Sequence, residues 1–255
     1  MNPTLTSDLK RQVVMGLGTI VLVLSTAIAS SPTKAAGDPG SALVRSNAIF
    51  IKNPGVVPNL GNLYGDLGAQ WWQWAFSFPY AKIPFFNKGG PVDVDARQSG
   101  PVWFLAGAND GLNSPRTGVV PAGTPLFLPI ANLINDYPCP PSFGFEPNPG
   151  ESLEDFLQRT ADDFFPNLTD LFAEIDGVSL RHLESYRAMS SMFKFTADPA
   201  AVSFDPCITG RPQRGVAVGY WLLLAPLPPG QHTLRFGAPS WGQDVTYVLT
   251  VKPWR

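Results

Sequence analysis

Histidine is the first place to look for chemistry, and the chain has only His182 and His232. Acyl transfer by a serine needs a nucleophile, a base and an orienting carboxylate held together. Serines are plentiful here, but no Gly-x-Ser-x-Gly elbow occurs. Two histidines without clustered acids do not make a zinc site, so no metal and no cofactor is expected. Paired carboxylates for glycoside hydrolysis remain open, with Asp93, Asp95, Asp136, Glu146 and Asp244 as candidates. Such a pair is defined by its separation in space, which spacing along the chain does not give. The alternative is that these acids are solvated turn residues. Asn109-Asp110-Gly111-Leu112-Asn113-Ser114 carries oxygen ligands for calcium, but not at the spacing of an EF-hand loop, and reads better as a plain turn. Arg116 follows it, as a carboxylate or sugar-acid ligand or as a surface arginine.

Binding is better represented than catalysis. Leu63, Leu67, Trp71, Trp74 and Phe78 recur at helical spacing, and Pro79 ends the run. Trp72 projects about 100° from Trp71, so the tryptophans do not share one face. A tryptophan at the edge of the stripe could stack on a sugar ring; the alternative places every ring in the core. Trp72, Tyr80, Arg116 and Trp241 are the candidate ligand-binding residues. Cys139 and Cys207, the only cysteines, allow one disulfide in an oxidising compartment, or two buried thiols otherwise; the disulfide is favoured.

The elements that position these residues are mostly strands. Gly215 to Leu224 is apolar on both of its alternating faces, the pattern of a strand buried on both sides. Pro226 to Gly230 breaks the chain. Leu234 and Phe236, then Val245, Tyr247, Leu249 and Val251, alternate with a second set of residues, as the closing strands of a sandwich would. Gly100 to Gly107 and Ser191 to Thr196 read as further strands, Val119 to Ile130 as a turn and strand, and Asp170 to Ser179 as a hairpin about Asp176-Gly177. Asn132 to Phe145 and Ala197 to Gln213 read as loops. Ser152 caps a second helix with acids in its first turn.

The bulk composition agrees. The chain has 255 residues, 44% hydrophobic and 15% charged, enough to bury a substantial core. Its 27 prolines and 24 glycines, spread along the length, suit short strands joined by turns. A formal charge of −2 and no basic run exclude a nucleic-acid footprint. At the N-terminus Lys10 and Arg11 precede an uncharged run, Val13 to Ala29, ending in Ala27-Ile28-Ala29. This is the pattern of a signal peptide cleaved after Ala29; if uncleaved, the segment would be the chain's only membrane contact. Residues 30–46 follow as a flexible leader, and 47–255 as one domain.

Five segments resemble a family of uncharacterised secreted bacterial proteins: Trp71-Trp72-Gln73-Trp74; Gly100 to Gly107; Pro121-Ala122-Gly123 with Leu126 to Asn132; Ile175 to Val178; and Pro226 to Gly237 with Asp244 to Tyr247. The resemblance implies secretion and carries no activity. Family members share a cysteine pair near the positions of Val94 and Gly118, which this chain lacks.

The sequence therefore predicts a mainly β fold, an antiparallel β-sandwich or jelly roll with about two helices packed on the sheets. The expected role is that of a secreted, periplasmic or cell-surface protein, non-enzymatic, binding a glycan or a cell-surface component. The alternative is a secreted hydrolase using a carboxylate pair.

Overall fold

A computed structural model describes residues 55–86, 95–108 and 113–253. The signal peptide, the leader and Asp93 lie outside the described residues. So does most of the Asn109 to Ser114 segment, whose last two residues begin a strand.

Ten strands and two α-helices are described. In chain order they are α1 (Leu63–Phe76), β1 (Trp103–Phe104), β2 (Asn113–Pro121), β3 (Leu126–Tyr137), α2 (Leu153–Phe164), β4 (Phe172–Ile175), β5 (Val178–Ser179), β6 (Arg187–Met189), β7 (Phe193–Phe195), β8 (Gln213–Leu224), β9 (Gly230–Ala238) and β10 (Gln243–Lys252). One sheet has the order β1-β3-β8-β6, with β7 also on β8; the other has the order β2-β10-β9-β4-β5. The fold is mainly β and sandwich-like, as the sequence predicts. Two pairings depart from the antiparallel pattern: β1 lies parallel to β3, and β2 parallel to β10.

β8 is the strand on which both cores meet. Val216, Val218, Tyr220, Leu222 and Leu224 face the core between the sheets, against Leu234, Phe236, Val245, Tyr247 and Leu249. Ala217, Trp221 and Leu223 face the opposite way, against α1. The doubly apolar alternation of β8 thus reports its position: one face covered by a sheet, the other by a helix. α1 lies close to that sheet, because a Cβ at Gly65 would stand 2.3 Å from the Met189 carbonyl oxygen. α2 packs against β3 and β8 through Phe156, Leu157, Ala161 and Phe164. Its Ser152 cap forms as expected, with Oγ accepting from the Asp155 N–H at 3.1 Å. At the β4–β5 turn, Asp176 (φ 50°) and Gly177 (φ 78°) take the two left-handed positions that a two-residue hairpin requires.

Two expectations change. The segment from Asn132, read as a proline-rich loop, continues β3 as far as Tyr137. Its backbone pairs with β8 from Asn132↔Gly219 to Tyr137↔Arg214, so the ladder overrides the prolines that follow. The segment 100–107 is ladder only at Trp103 and Phe104.

Candidate functional site

A β-bulge decides where the site forms. The β3–β8 register shifts between Pro129 and Ala131. Ile130 and Ala131 consequently both face the core between the sheets, and the alternation of β3 is reversed beyond them. Ile134 lies in the core on the α1 side, and it lines a pocket together with Asn132. Gln243, the first residue of β10, secures the bulge from the opposite sheet. Its Nε2 donates to the Pro129 carbonyl at 2.6 Å and to the Ile130 carbonyl at 2.7 Å. Gly107 makes room for this side chain, since a Cβ there would stand 2.3 Å from Gln243 Oε1.

The pocket lies between α1, this stretch of β3 and the residues flanking β10. Its walls are Trp71 and Trp72 of α1, Phe85, Phe204 and Trp241, with Asn132, Asp205 and Gln243 as polar lining. Its volume, measured as space open to the centre of a water molecule, is about 50 Å³. By that measure one water needs roughly 10–15 Å³. Phe204, Trp241 and Asn132 are half-buried and form the rim; Trp72, Phe85, Asp205 and Gln243 are buried.

Three polar atoms of the lining residues have no hydrogen-bond partner among the described residues: Trp72 Nε1, Asn132 Nδ2 and Asp205 Oδ2. Neighbouring groups are satisfied. Trp71 Nε1 donates to the Leu105 carbonyl at 2.8 Å, and Trp241 Nε1 to that of Asn132 at 3.2 Å. Buried polar groups are normally paired, so two N–H donors and one carboxylate oxygen left unpaired on the residues of one lining single this pocket out as the candidate site.

Asp205 is held by its own loop. It is 1% exposed, and its Oδ1 accepts from the Cys207 N–H at 2.8 Å. Cys207 is bonded to Cys139. The disulfide therefore fastens the Asp205 loop to the chain leaving β3. Behind Asp205 stands Asp136, whose Oδ2 accepts from Gln213 Nε2 at 2.9 Å; the same nitrogen donates to the Cys207 carbonyl at 2.7 Å. Carboxylate oxygens of Asp136 and Asp205 and the Cys207 sulfur lie within 4.8 Å of one another. The sulfur is spent in the disulfide, and two carboxylates fall well short of the six to eight oxygens calcium takes.

The four candidate ligand residues separate. Trp72 and Trp241 line the pocket. Trp72, which the sequence left open between the edge of the stripe and the core, is 4% exposed, because Phe85 folds over that flank of α1 with ring centroids 5.5 Å apart. Tyr80 does not line the pocket; it lies half-buried with its ring against Phe86. Arg116, expected at the surface, is 3% exposed, and its Nη1 donates to the Pro84 and Ala106 carbonyls and to the Tyr247 hydroxyl. Its neighbours on β2 alternate in burial, which turns this side chain inward.

The described candidate acids each bond to a different partner. Asp95 accepts from the Val119 N–H, Glu146 from the Tyr137 hydroxyl, and Asp244 pairs with Arg235 at 2.8 Å. Asp136 is fully buried rather than a solvated turn acid. None of them lines the pocket; Asp205 does, and the sequence reading passed over it. His232 lies remote from it, bonded to Asp176 and to the Pro228 carbonyl. The missed residues Asn132, Asp205 and Gln243 carry no motif. The one available signal was that Asp205 lies two residues from a cysteine.

Comparison with known proteins adds little. No family model matches the chain, and no curated protein matches it. Among solved structures, one described as "Structure of PbICP-C in complex with falcipain-2" aligns at 11% identity. The alignment covers 59% of this chain and 98% of that one, with a TM-score of 0.20, a likeness too slight to carry an argument.

Proposed function

We propose that this is an extracytoplasmic binding protein whose pocket takes a saccharide. One observation carries the reading: a pocket walled by aromatic rings, whose lining residues carry two N–H donors and a carboxylate oxygen that are buried and without partners among the described residues. Aromatic faces suit the C–H face of a sugar ring, and a hydroxyl both accepts from an N–H and donates to a carboxylate. The pocket's volume suits the insertion of one edge of a ring rather than the engulfing of a chain. The buried Cys139–Cys207 disulfide fits an oxidising compartment, as do the N-terminal pattern and the resemblance to secreted proteins. No helix among the described residues is long and apolar enough to cross a membrane.

The hydrolase alternative has a narrower footing. It requires two carboxylates opening on one cleft. Asp136 and Asp205 are close, but of the two only Asp205 lines the pocket, while Asp136 is bonded to Gln213 behind it. The geometry therefore favours binding.

The test is a titration of tryptophan fluorescence with neutral monosaccharides, supported by a glycan array and cell-wall material. Trp71, Trp72 and Trp241 all line the pocket, so occupancy should give a saturable change, lost in Asn132→Ala and Trp241→Ala. No saccharide binding on any of the three would refute the reading.

A further inference from the structure

We propose that the preferred ligand carries a protonated amine, received by Asp205: a hexosamine with a free amino group. This deepens the saccharide reading and rests on it. Asp205 lines the pocket and is buried; its Oδ1 is occupied by the Cys207 N–H, and its Oδ2 has no partner among the described residues. A second buried carboxylate, Asp136, has an oxygen within 4.8 Å. A cation beside two such closely spaced, desolvated carboxyl groups is electrostatically favoured. A hydroxyl would give the carboxyl group one neutral-donor hydrogen bond; an ammonium group gives a charge-assisted one and sets a positive charge beside both acids.

The walls favour the same chemistry. Trp72, Phe85, Phe204 and Trp241 surround the space in front of Asp205. Aromatic rings attract ammonium through their electron-rich faces, and the attraction grows when the group is desolvated. The remaining open groups, Trp72 Nε1 and Asn132 Nδ2, are donors and would oppose a bare cation without acceptors of its own. They match ring hydroxyls. Charge at one end and acceptor hydroxyls at the other describe an amino sugar more closely than a simple amine, a neutral sugar or a metal ion.

The experiment compares glucosamine, glucose, N-acetylglucosamine, ethanolamine and calcium chloride by calorimetry on the full chain, at a pH where the amines are protonated. Glucosamine should bind about tenfold more tightly than glucose, the scale of one charge-assisted hydrogen bond over a neutral one. Asp205→Asn should abolish that preference, bringing glucosamine down to the affinity of glucose, while an unchanged far-UV circular dichroism spectrum shows that the variant folds. Equal affinity for glucose and glucosamine, or preference for N-acetylglucosamine, would overturn the amine assignment and leave the saccharide reading standing. Binding of ethanolamine or calcium alone, with no affinity for any sugar, would overturn both.

Discussion

Replacing Gln243 with alanine should cost about 3 kcal/mol of folding stability. The side chain is 4% exposed and donates to two carbonyl oxygens at the β3 bulge, at 2.6 and 2.7 Å. Each neutral hydrogen bond contributes about 1 kcal/mol net, and each buried methylene about 0.8 kcal/mol. The penalty for leaving the carbonyls unpaired stays small, because the side chain lines a pocket with room for water. The assay is urea unfolding at pH 7, followed by fluorescence. With a slope of roughly 2 kcal/mol/M, the midpoint should fall by about 1.5 M while the slope stays constant. Q243E keeps the volume but presents a carboxylate to two carbonyls, so it should be at least as costly at pH 7. Burial and the facing carbonyls raise the folded-state pKa of the introduced carboxyl. Its stability deficit should therefore shrink as pH falls toward 4, where it is protonated and can donate. A loss below about 1 kcal/mol for Q243A would refute the claim that this side chain holds the bulge.

Gly107→Ala should cost about 2 kcal/mol in the wild-type background, because its Cβ would meet Gln243 Oε1 at 2.3 Å and that side chain is pinned. It should cost almost nothing beside Q243A; additive losses in the double mutant would show that the contact is not the cause. Converting Cys139 and Cys207 to serine frees a loop whose ends are 68 residues apart, at about 4 kcal/mol on the chain-entropy model, and should weaken ligand binding by releasing Asp205. Unchanged affinity in a still-folded variant would separate the disulfide from the pocket. His232 has both ring nitrogens on acceptors, at 2.7 Å to Asp176 and 2.8 Å to the Pro228 carbonyl. Burial alone would lower its pKa, but the bonds to Asp176 and Pro228 together hold it above the usual value, and His232 in turn holds Asp176 below its own. The histidine's contribution is complete below about pH 6.5 and fades as pH rises through its folded value; that of Asp176 is present above about pH 4 and fades as pH falls. Tm should therefore decline from pH 6 to pH 8 more steeply in the wild type than in His232→Gln, and an NMR titration placing His232 below 6.5 would contradict this.

How much of this was legible in the sequence follows from the range of each signal. The doubly apolar β8, the Asp176-Gly177 turn, the Ser152 cap and the helix of tryptophans are local patterns, and the structure shows each of them. The inward turn of Arg116, and the choice for Trp72 between edge and core, depend on segments outside the local pattern: Pro84 and Ala106 bond the first, and Phe85 covers the second. The parallel pairings of β1 and β2 are likewise unreadable from alternation, which fixes the face of a residue and not the neighbour of a strand.

The pocket was hidden for a more particular reason. A period-two reading carried along β3 from Leu126 puts every even-numbered residue on the face of Leu128, between the sheets. By that count Asn132 and Asp136 would be polar residues in an apolar core, which argues for a loop. The bulge reverses the count after Ile130, so the same two residues turn to the α1 side, where Asn132 lines the pocket and Asp136 meets Gln213. The bulge is itself held by Gln243, more than 110 residues away in sequence. A carbonyl pair that needs a donor, a glutamine that supplies it and a glycine that makes room for the glutamine are three separate choices in the chain. Together they put Asn132 into the lining of a pocket that a buried aspartate and three tryptophans share. An ordinary ladder would have closed the core without any of them, and that expenditure on one irregularity is the physical reason to place function there.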